Sequence, residues 1–352
     1  MAEYIAFDSH KHYTLVERQD VKTAECVRCR IGHVRGAIRN YLGKLPQRGD
    51  AVAVEATGNW YWIVQEIEDA GFKPQLVNPR KAKLMMGTVN KTDKLDGRGL
   101  NRLQRAGVLP TVWVPPAELR DLRELTRIRM VMSRGNTRLK NRIGATLSKY
   151  GLQGSEASDP FGTKGRAELD GKVSQLPTET SHAVRLLLAQ IGLVQKQIGE
   201  EEKRLKRLVK KTPEIQLLMT LPGVGLILAS VIYLEIGDIR RFASAEHLAS
   251  YSGTTPRVHS SGDKTTYGGL RADVNRYLKW AFAEAANVLA MQRNQNDGRH
   301  VTQLYLRLRE HKGHSKAIGA VARHLSEAAF YVLSKKEAYR DPALRRDSSR
   351  EV

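Results

Sequence analysis

The stretch NKTDKLDGRG, residues 90 to 99, places Asp93 and Asp96 three residues apart among Lys91, Lys94 and Arg98. On a helix that spacing sets both carboxylates on one face, where they repel unless a cation shares them. Either they are solvated surface acids or they hold a metal. Two more acids stand at telling positions: Asp8 closes the apolar run YIAF, and Glu55 closes AVAV. Carboxylate oxygens are hard ligands that suit Mg²⁺ or Mn²⁺. Two such ions, roughly 4 Å apart, clamp the attacking and leaving oxygens of a phosphoryl transfer. Taken singly, each acid is equally well explained by hydration or by capping a helix. Four converging in a basic protein call for divalent cations, because each charge raises its neighbours' pKa.

The elements that must bring these acids together are legible as alternating strands and helices. Strand-like runs EYIAFDSH (3–10), HYTLVERQ (12–19) and AECVRCRIG (24–32) precede a helix in VRGAIRNYLGKL. A buried strand AVAVEA (51–56), a helix WYWIVQEIEDAG and a strand PQLVNP (74–79) follow. Three strands, then helix, strand, helix, strand, is the order of a ribonuclease H-like (RuvC-like) fold, and its strand-helix-strand units require right-handed crossovers. In such a sheet the first and fourth strands are neighbours, so Asp8 and Glu55 meet at one edge. The following helix can then bring up Asp93 and Asp96 on a single face. The expected domain spans residues 1–112.

Lysine and arginine total 58 against 37 acids, a formal charge of +21, which is the footprint of a protein that lies along a polyanion. Nucleic acid is the leading partner. The longest apolar run, VGLILASVIYL (224–234), falls far short of the ~20 residues of a spanning helix, and Met1 leads directly into a strand without a signal segment. A soluble cytoplasmic protein is expected, with no membrane partner. Cys26 and Cys29 are the only cysteines. Their CxxC spacing has no second pair to complete a zinc site, and in a strand residues three apart point to opposite faces.

Pro115 and Pro116 open a long helix in which Leu125, Ile128, Met132, Leu139, Ile143 and Leu147 form an apolar face. Arg120, Arg123, Arg127, Arg134, Arg138 and Arg142 form a basic stripe on another face and are candidates for phosphate contacts. After a break at 151–165, Val184, Leu187, Ile191, Val194, Ile198, Leu205 and Leu208 occupy a and d positions of a second helix. A coiled-coil hairpin or a helix-mediated dimer is expected over 113–211, with packing inside one subunit as the alternative. From 212 to 352 the chain reads as mainly α-helical. LPGVGLILASVIYLEIG (221–237) is similar to a helix-hairpin-helix element, whose glycine turn admits a phosphate to a helix N-terminus. GTTPRVHSSGDKTTYGG (253–269) is too long for a hairpin turn and is expected to be a functional loop. Lys264, Arg271 and Arg276 are further candidate phosphate contacts, whereas Tyr251 and His259 read as packing or turn residues.

FDSHK, VEATGNWYW, NPRKAKLMMGTVNKTDKLDGRGL, LPGVG and YSGTTPRVHSSGDK occur in the order found in the DEDD transposases of the insertion-sequence family numbered one hundred and ten. The chain resembles that family over essentially its whole length. The resemblance implies a RuvC-like domain joined to a C-terminal transposase domain, with Asp8, Glu55, Asp93 and Asp96 as the metal ligands. It implies that a serine preceding a glycine is the nucleophile, which maps onto Ser261, with Ser260 one residue away. It further implies a covalent 5′-phosphoserine intermediate, a synaptic homo-oligomer of up to four subunits, and a structured bridge RNA that pairs with donor and target DNA. The setting it implies is the bacterial cytoplasm, at the nucleoid. Gly97 departs from the family pattern, in which alanine follows the last aspartate; it should loosen the helix slightly without touching a ligand.

Two other readings remain open. A metal-dependent nuclease or junction resolvase would use the four acids alone and leave free 3′-hydroxyl ends without a protein adduct. A non-catalytic nucleic-acid scaffold would leave the acids incidental, and metal affinity would then be indifferent to Asp93→Asn.

Overall fold

A computed structural model of the chain describes residues 3–46, 49–87, 93–152, 155–209, 212–262, 264–270 and 274–342. It divides into two compact units, residues 1–117 and 118–352, so the long helical region groups with the C-terminal part of the chain.

The first unit is mixed α/β. β1 (Glu3–Ser9), β2 (Tyr13–Asp20) and β3 (Cys26–Gly32) form an antiparallel meander, followed by α1 (Ala37–Leu42). β4 (Ala51–Glu55), α2 (Trp60–Asp69) and β5 (Lys73–Val77) add two parallel strands, giving the sheet order β3-β2-β1-β4-β5. That order is consistent with the expected ribonuclease H-like sheet. α3 (Pro79–Met86) and α4 (Asp93–Arg105) complete the unit.

Parallel strands with helices on both faces read as continuous apolar runs, and β1 and β4 do. Ile5, Phe7, Val52 and Val54 pack with Ile38, Leu42, Ile63 and Ile67 of α1 and α2. Ala6 and Ala53 face the other way and pack with Ala82, Met86, Leu100 and Leu103 of α3 and α4. The alanines keep that face shallow, so α4 lies close to the strands. Polar side chains then bolt it down: Asn101 Nδ2 donates to Tyr4 O at 3.1 Å, Gln104 Nε2 to Ala51 O at 3.0 Å, and an Arg105 guanidinium nitrogen to Gln19 Oε1 at 2.8 Å. α1 starts at Gly36 with no capping side chain of its own. The buried Glu66 of α2 supplies the cap, accepting from the backbone N–H groups of Gly36, Ile38 and Arg39.

The second unit is mainly helical. α5 (Ala117–Lys149), α6 (Thr163–Ser174) and α7 (Thr178–Val209) come first. α5 and α7 run antiparallel within one subunit: Arg129 meets Glu202 at 2.6 Å, Tyr150 Oη meets Thr180 Oγ1 at 3.2 Å, and Ile143 and Leu147 pack with Val184, Leu188 and Ile191. The heptad positions Val184, Ile191 and Leu205 are buried, and Leu187, Val194, Ile198 and Leu208 are half-buried. α8 (Pro213–Leu218), α9 (Leu226–Ile236), α10 (Ala245–Tyr251), β6 (Pro256–Ser261), β7 (Lys264–Leu270), α11 (Arg276–Met291), α12 (His300–Lys312) and α13 (His314–Lys335) follow. A single core built on Ile232, Leu248, Phe282, Ala285 and Leu325 joins the helices from α8 onward. The glycine turn between α8 and α9 is used for packing: Gly223 has φ +74°, and a Cβ there would run into the Ala285 carbonyl of α11. No helix among the described residues is long and apolar enough to cross a membrane.

Where a loop was expected over 253–269, β6 and β7 instead pair as antiparallel strands, with Ser261 opposite Lys264 and Ser260 opposite Thr265. The polar, glycine-rich sequence concealed the strands, whose described side chains from Arg257 to Gly269 are exposed and impose no alternation.

Candidate active site

Register brings Asp8 and Glu55 together. β1 and β4 pair in parallel through Ile5–Val52, Ala6–Ala53 and Phe7–Val54, so Asp8 and Glu55 are the next residues of each strand. By the alternation of a strand they share the face of Ala6 and Ala53, the one α4 covers. α4 runs antiparallel to β1, with Asn101 over Tyr4 and Gly97 over Asp8; a Cβ at Gly97 would lie 4.0 Å from Asp8 Cβ. Asp96 immediately precedes Gly97 and Asp93 opens the helix, so the first turn of α4 sits at the strand ends where Asp8 and Glu55 stand. The side chains of Asp93 and Asp96 lie outside the described residues. Among the described residues no three His, Cys, Asp or Glu side chains cluster as metal ligands do.

Asp8 is 5% exposed, and its carboxylate lies 3.2 Å from His10 Nε2. A buried carboxylate beside a basic imidazole, with a second carboxylate in register on the same face, is a hard-oxygen donor set that fits a divalent cation.

The chain segments that leave β1 and β4 are tied to one another. Asn59 Nδ2 donates to His10 O at 2.8 Å, and Asn59 Oδ1 accepts from Thr57 Oγ1 at 2.7 Å. His33 Nε2 lies 2.8 Å from Thr14 Oγ1, which meets Ser9 Oγ at 3.1 Å, and His33 Nδ1 lies 3.3 Å from Asn59 Nδ2. Burial holds the His33 imidazole below its ordinary pKa, against the opposing effect of the nearby Lys11 carbonyl. It therefore bridges these groups as a neutral ring at pH 7. Asn59 is the residue before α2 in the motif VEATGNWYW. The structure gives it no capping bond to α2 and a cross-strand role instead. No signal in the sequence pointed to His10, His33 or Asn59 as partners.

The basic stripe of α5 divides in two. Arg120 and Arg123 are buried and Arg127 is half-buried, in place of the apolar face expected from Leu125 and Ile128, the latter 41% exposed. Arg123 Nε donates to Leu234 O at 2.8 Å, and a terminal nitrogen donates to Glu235 O at 2.9 Å. The carbonyls at the end of α9 lack helical partners and carry its negative dipole end, so a guanidinium satisfies both needs. Arg127 pairs with the Glu235 carboxylate at 2.8 Å. The expectation that Arg120, Arg123 and Arg127 contact phosphates is thus corrected: Arg123 and Arg127 turn inward onto the end of α9, and Arg120 is buried. Arg134, Arg138 and Arg142 lie on the exposed surface of the same helix, as do Lys264 on the hairpin and Arg276 at the start of α11. Arg271 lies outside the described residues.

Ser261 is exposed beside the hairpin turn, where Gly262 has φ +56°, a backbone conformation that favours glycine. Ser260 Oγ lies 3.1 Å from Thr265 Oγ1 across the hairpin. Tyr251 packs on the Phe242 ring at 5.3 Å, and Cys26 and Cys29 are free thiols on β3. The His259 side chain lies outside the described residues.

Two family models match the chain: a transposase family of DEDD type, IS110, over residues 5–151, and the Transposase IS116/IS110/IS902 family over residues 215–302. Among relatives, the transposase for insertion sequence element IS1111A of Coxiella burnetii is 26% identical over 82% of this chain and 79% of its own length. A probable family 20 transposase of Pseudomonas aeruginosa is 25% identical, covering 78% of this chain and 81% of its own. The transposase for insertion sequence element IS1328 of Yersinia enterocolitica is 24% identical over 81% and 84%.

Proposed function

Because the chain belongs to the IS110 family of transposases, and is therefore an enzyme acting on DNA, we propose that it cuts and rejoins donor and target DNA with a four-carboxylate metal site and a serine nucleophile. The observation that carries this reading is the register of Asp8 with Glu55 beneath the first turn of α4, which bears Asp93 and Asp96. These four would hold Mg²⁺ or Mn²⁺; what a divalent cation supplies when bound there is Lewis acidity toward a phosphodiester. The Ser261 oxygen attacks phosphorus. A P–O bond to serine forms, the bond to the 3′ oxygen breaks, and the serine proton passes to that oxygen. The products are a 5′-phosphoserine and a free 3′-hydroxyl, and the reverse attack rejoins DNA. The exposed position of Ser261 at a hairpin tip supports access to a bulky backbone.

Within this reading residues 1–112 form the metal-binding domain, 113–211 a coiled-coil region that supports a homo-oligomer, and 212–352 the domain that carries the serine. Sequence choice is delegated to a bridge RNA, leaving the protein to bind backbone by charge. The excess of +21 and the exposed Arg134, Arg138, Arg142, Lys264 and Arg276 support that division of labour. The test is to incubate the protein, the noncoding RNA flanking its gene and labelled donor and target DNA with Mg²⁺, then run a denaturing gel beside Ser261→Ala. A protease-sensitive protein–DNA adduct lost in Ser261→Ala is expected. Metal-dependent nicking that survives the substitution would replace the serine mechanism with that of a nuclease using the acids alone.

A further inference from the structure

The hairpin that bears Ser261 leaves the core between Tyr251, at the end of α10, and Asn275, before α11. These two feet are joined. Asn275 N–H donates to Tyr251 O at 3.0 Å, and Asn275 Nδ2 lies 3.3 Å from Tyr251 Oη. The same Nδ2 donates to Glu235 Oε2 at 2.8 Å, while Asn275 Oδ1 accepts from the N–H groups of Tyr277 and Leu278 at 3.0 and 3.1 Å, capping α11. One side-chain amide thus ties a helix start, both hairpin ends and a carboxylate.

That carboxylate is fully buried. Its charge is balanced by Arg127, at 2.8 and 3.1 Å, and by Arg123 Nε at 3.7 Å. Gly253, two residues after Tyr251, has φ +69° and approaches Val274, the residue before Asn275, so closely that a Cβ would strike its side chain. The Arg241 guanidinium lies over the Phe242 ring at 4.0 Å and over the Tyr251 ring at 4.4 Å. The described hairpin side chains from Arg257 to Gly269 are, by contrast, exposed. A buried ion pair is a poor source of net stability, since apolar replacement is often neutral or better; specifying one arrangement is its better-attested use. The arrangement specified here is where the hairpin leaves the core.

We propose that Glu235 and Asn275 are positioning residues for Ser261, clasping both feet of its hairpin to the end of α9. The inference rests on the reading of Ser261 as the nucleophile, and its test is built to fail separately. Asn275→Asp keeps the oxygen that caps α11 but sets a carboxylate against Glu235. Adding Glu235→Gln restores a donor and an acceptor in exchanged order, with the negative charge kept beside Arg127. Amide hydrogen exchange on the full chain is the primary readout. Exchange within residues 256–270 should rise about tenfold in Asn275→Asp, with α11 amides from Leu278 to Ala290 unchanged, and return toward the wild-type rate in the double variant. Yield of the Ser261 adduct should follow the same order. Unchanged hairpin exchange, equal loosening of α11, or a double variant no slower than the single would overturn the clasp. Should Asn275→Asp fail to fold, Tyr251→Phe, which removes only the hydroxyl, should still accelerate hairpin exchange, and no acceleration would count against the proposal. Absence of any adduct in the wild type would refute the serine reading while leaving the exchange result to judge the clasp.

Discussion

Asp8 and Glu55 stand one residue beyond Phe7 and Val54, the last paired positions of two parallel strands, on the face that α4 covers. Neighbouring carboxylates so placed repel until a cation joins them. Glu55→Gln should therefore leave the fold about as stable as before, and Asp8→Asn, which also gives up the His10 pair, somewhat less stable, while each lowers DNA cleavage by at least ~100-fold, about 3 kcal/mol of transition-state stabilisation. Thermal melts and Mn²⁺ titration monitored by electron paramagnetic resonance check both halves. Cleavage and Mn²⁺ affinity equal to wild type would remove these acids from the site.

Two glycines predict opposite responses to the same substitution. A Cβ at Gly97 would meet Asp8 Cβ at 4.0 Å, an ordinary contact, and alanine is the better helix former by about 1 kcal/mol. Gly97→Ala should raise the melting temperature and retain activity. At Gly223, with φ +74° and the Ala285 carbonyl in the way, alanine should destabilise the second unit by about 2 kcal/mol or more. Urea titration of each variant measures both.

The arginines of α5 separate by partner. Arg123→Met leaves two α9 carbonyls and the buried Glu235 short of a donor and a charge, a loss of about 3–5 kcal/mol. Arg138→Ala should change stability by less than ~0.5 kcal/mol. It should instead weaken DNA or RNA binding equally across sequences and reduce the slope of log affinity against log salt by about 1. Filter binding over a salt series distinguishes them.

His324 makes the second unit sensitive to acid. Burial first, and the nearby His300 second, hold its imidazole below the ordinary value of 6.5. The unfolded chain then binds this proton more readily than the folded one. Its contribution to stability is complete above pH 6.5 and is lost as the pH falls below that value. Melting temperatures between pH 5 and 7.5 should fall less steeply on the acid side in His324→Gln than in wild type.

The sheet was legible because β1 and β4 are apolar runs and β2 and β3 are strand-like runs between short polar breaks, each readable within a few residues of itself. The end of YIAFD and of AVAVE could be seen as strand ends for the same reason. What stayed hidden depends on distant partners. Arg123 looks like a surface cation until Leu234 and Glu235, more than a hundred residues later, are brought to it. Asn59 gave no sign of its role because its partners, His10 and His33, follow β1 and β3, far from it in sequence. The strands β6 and β7 gave no alternating pattern, since their described side chains from Arg257 to Gly269 are exposed.

On the proposed serine reading, the hairpin would also act as a lever. Six residues of β6 place its tip roughly 20 Å from its base, so a swing of about 10° there would carry the Ser261 oxygen by about 3 Å. Reacting atoms must meet within about 3.5 Å, and a misplacement of about 1 Å can cost about a hundredfold in rate. With Ser261 as the proposed nucleophile, its aim would be set at the pivot rather than at the turn. Substitutions on the arm's exposed faces should be tolerated more readily than conservative ones where it joins the core.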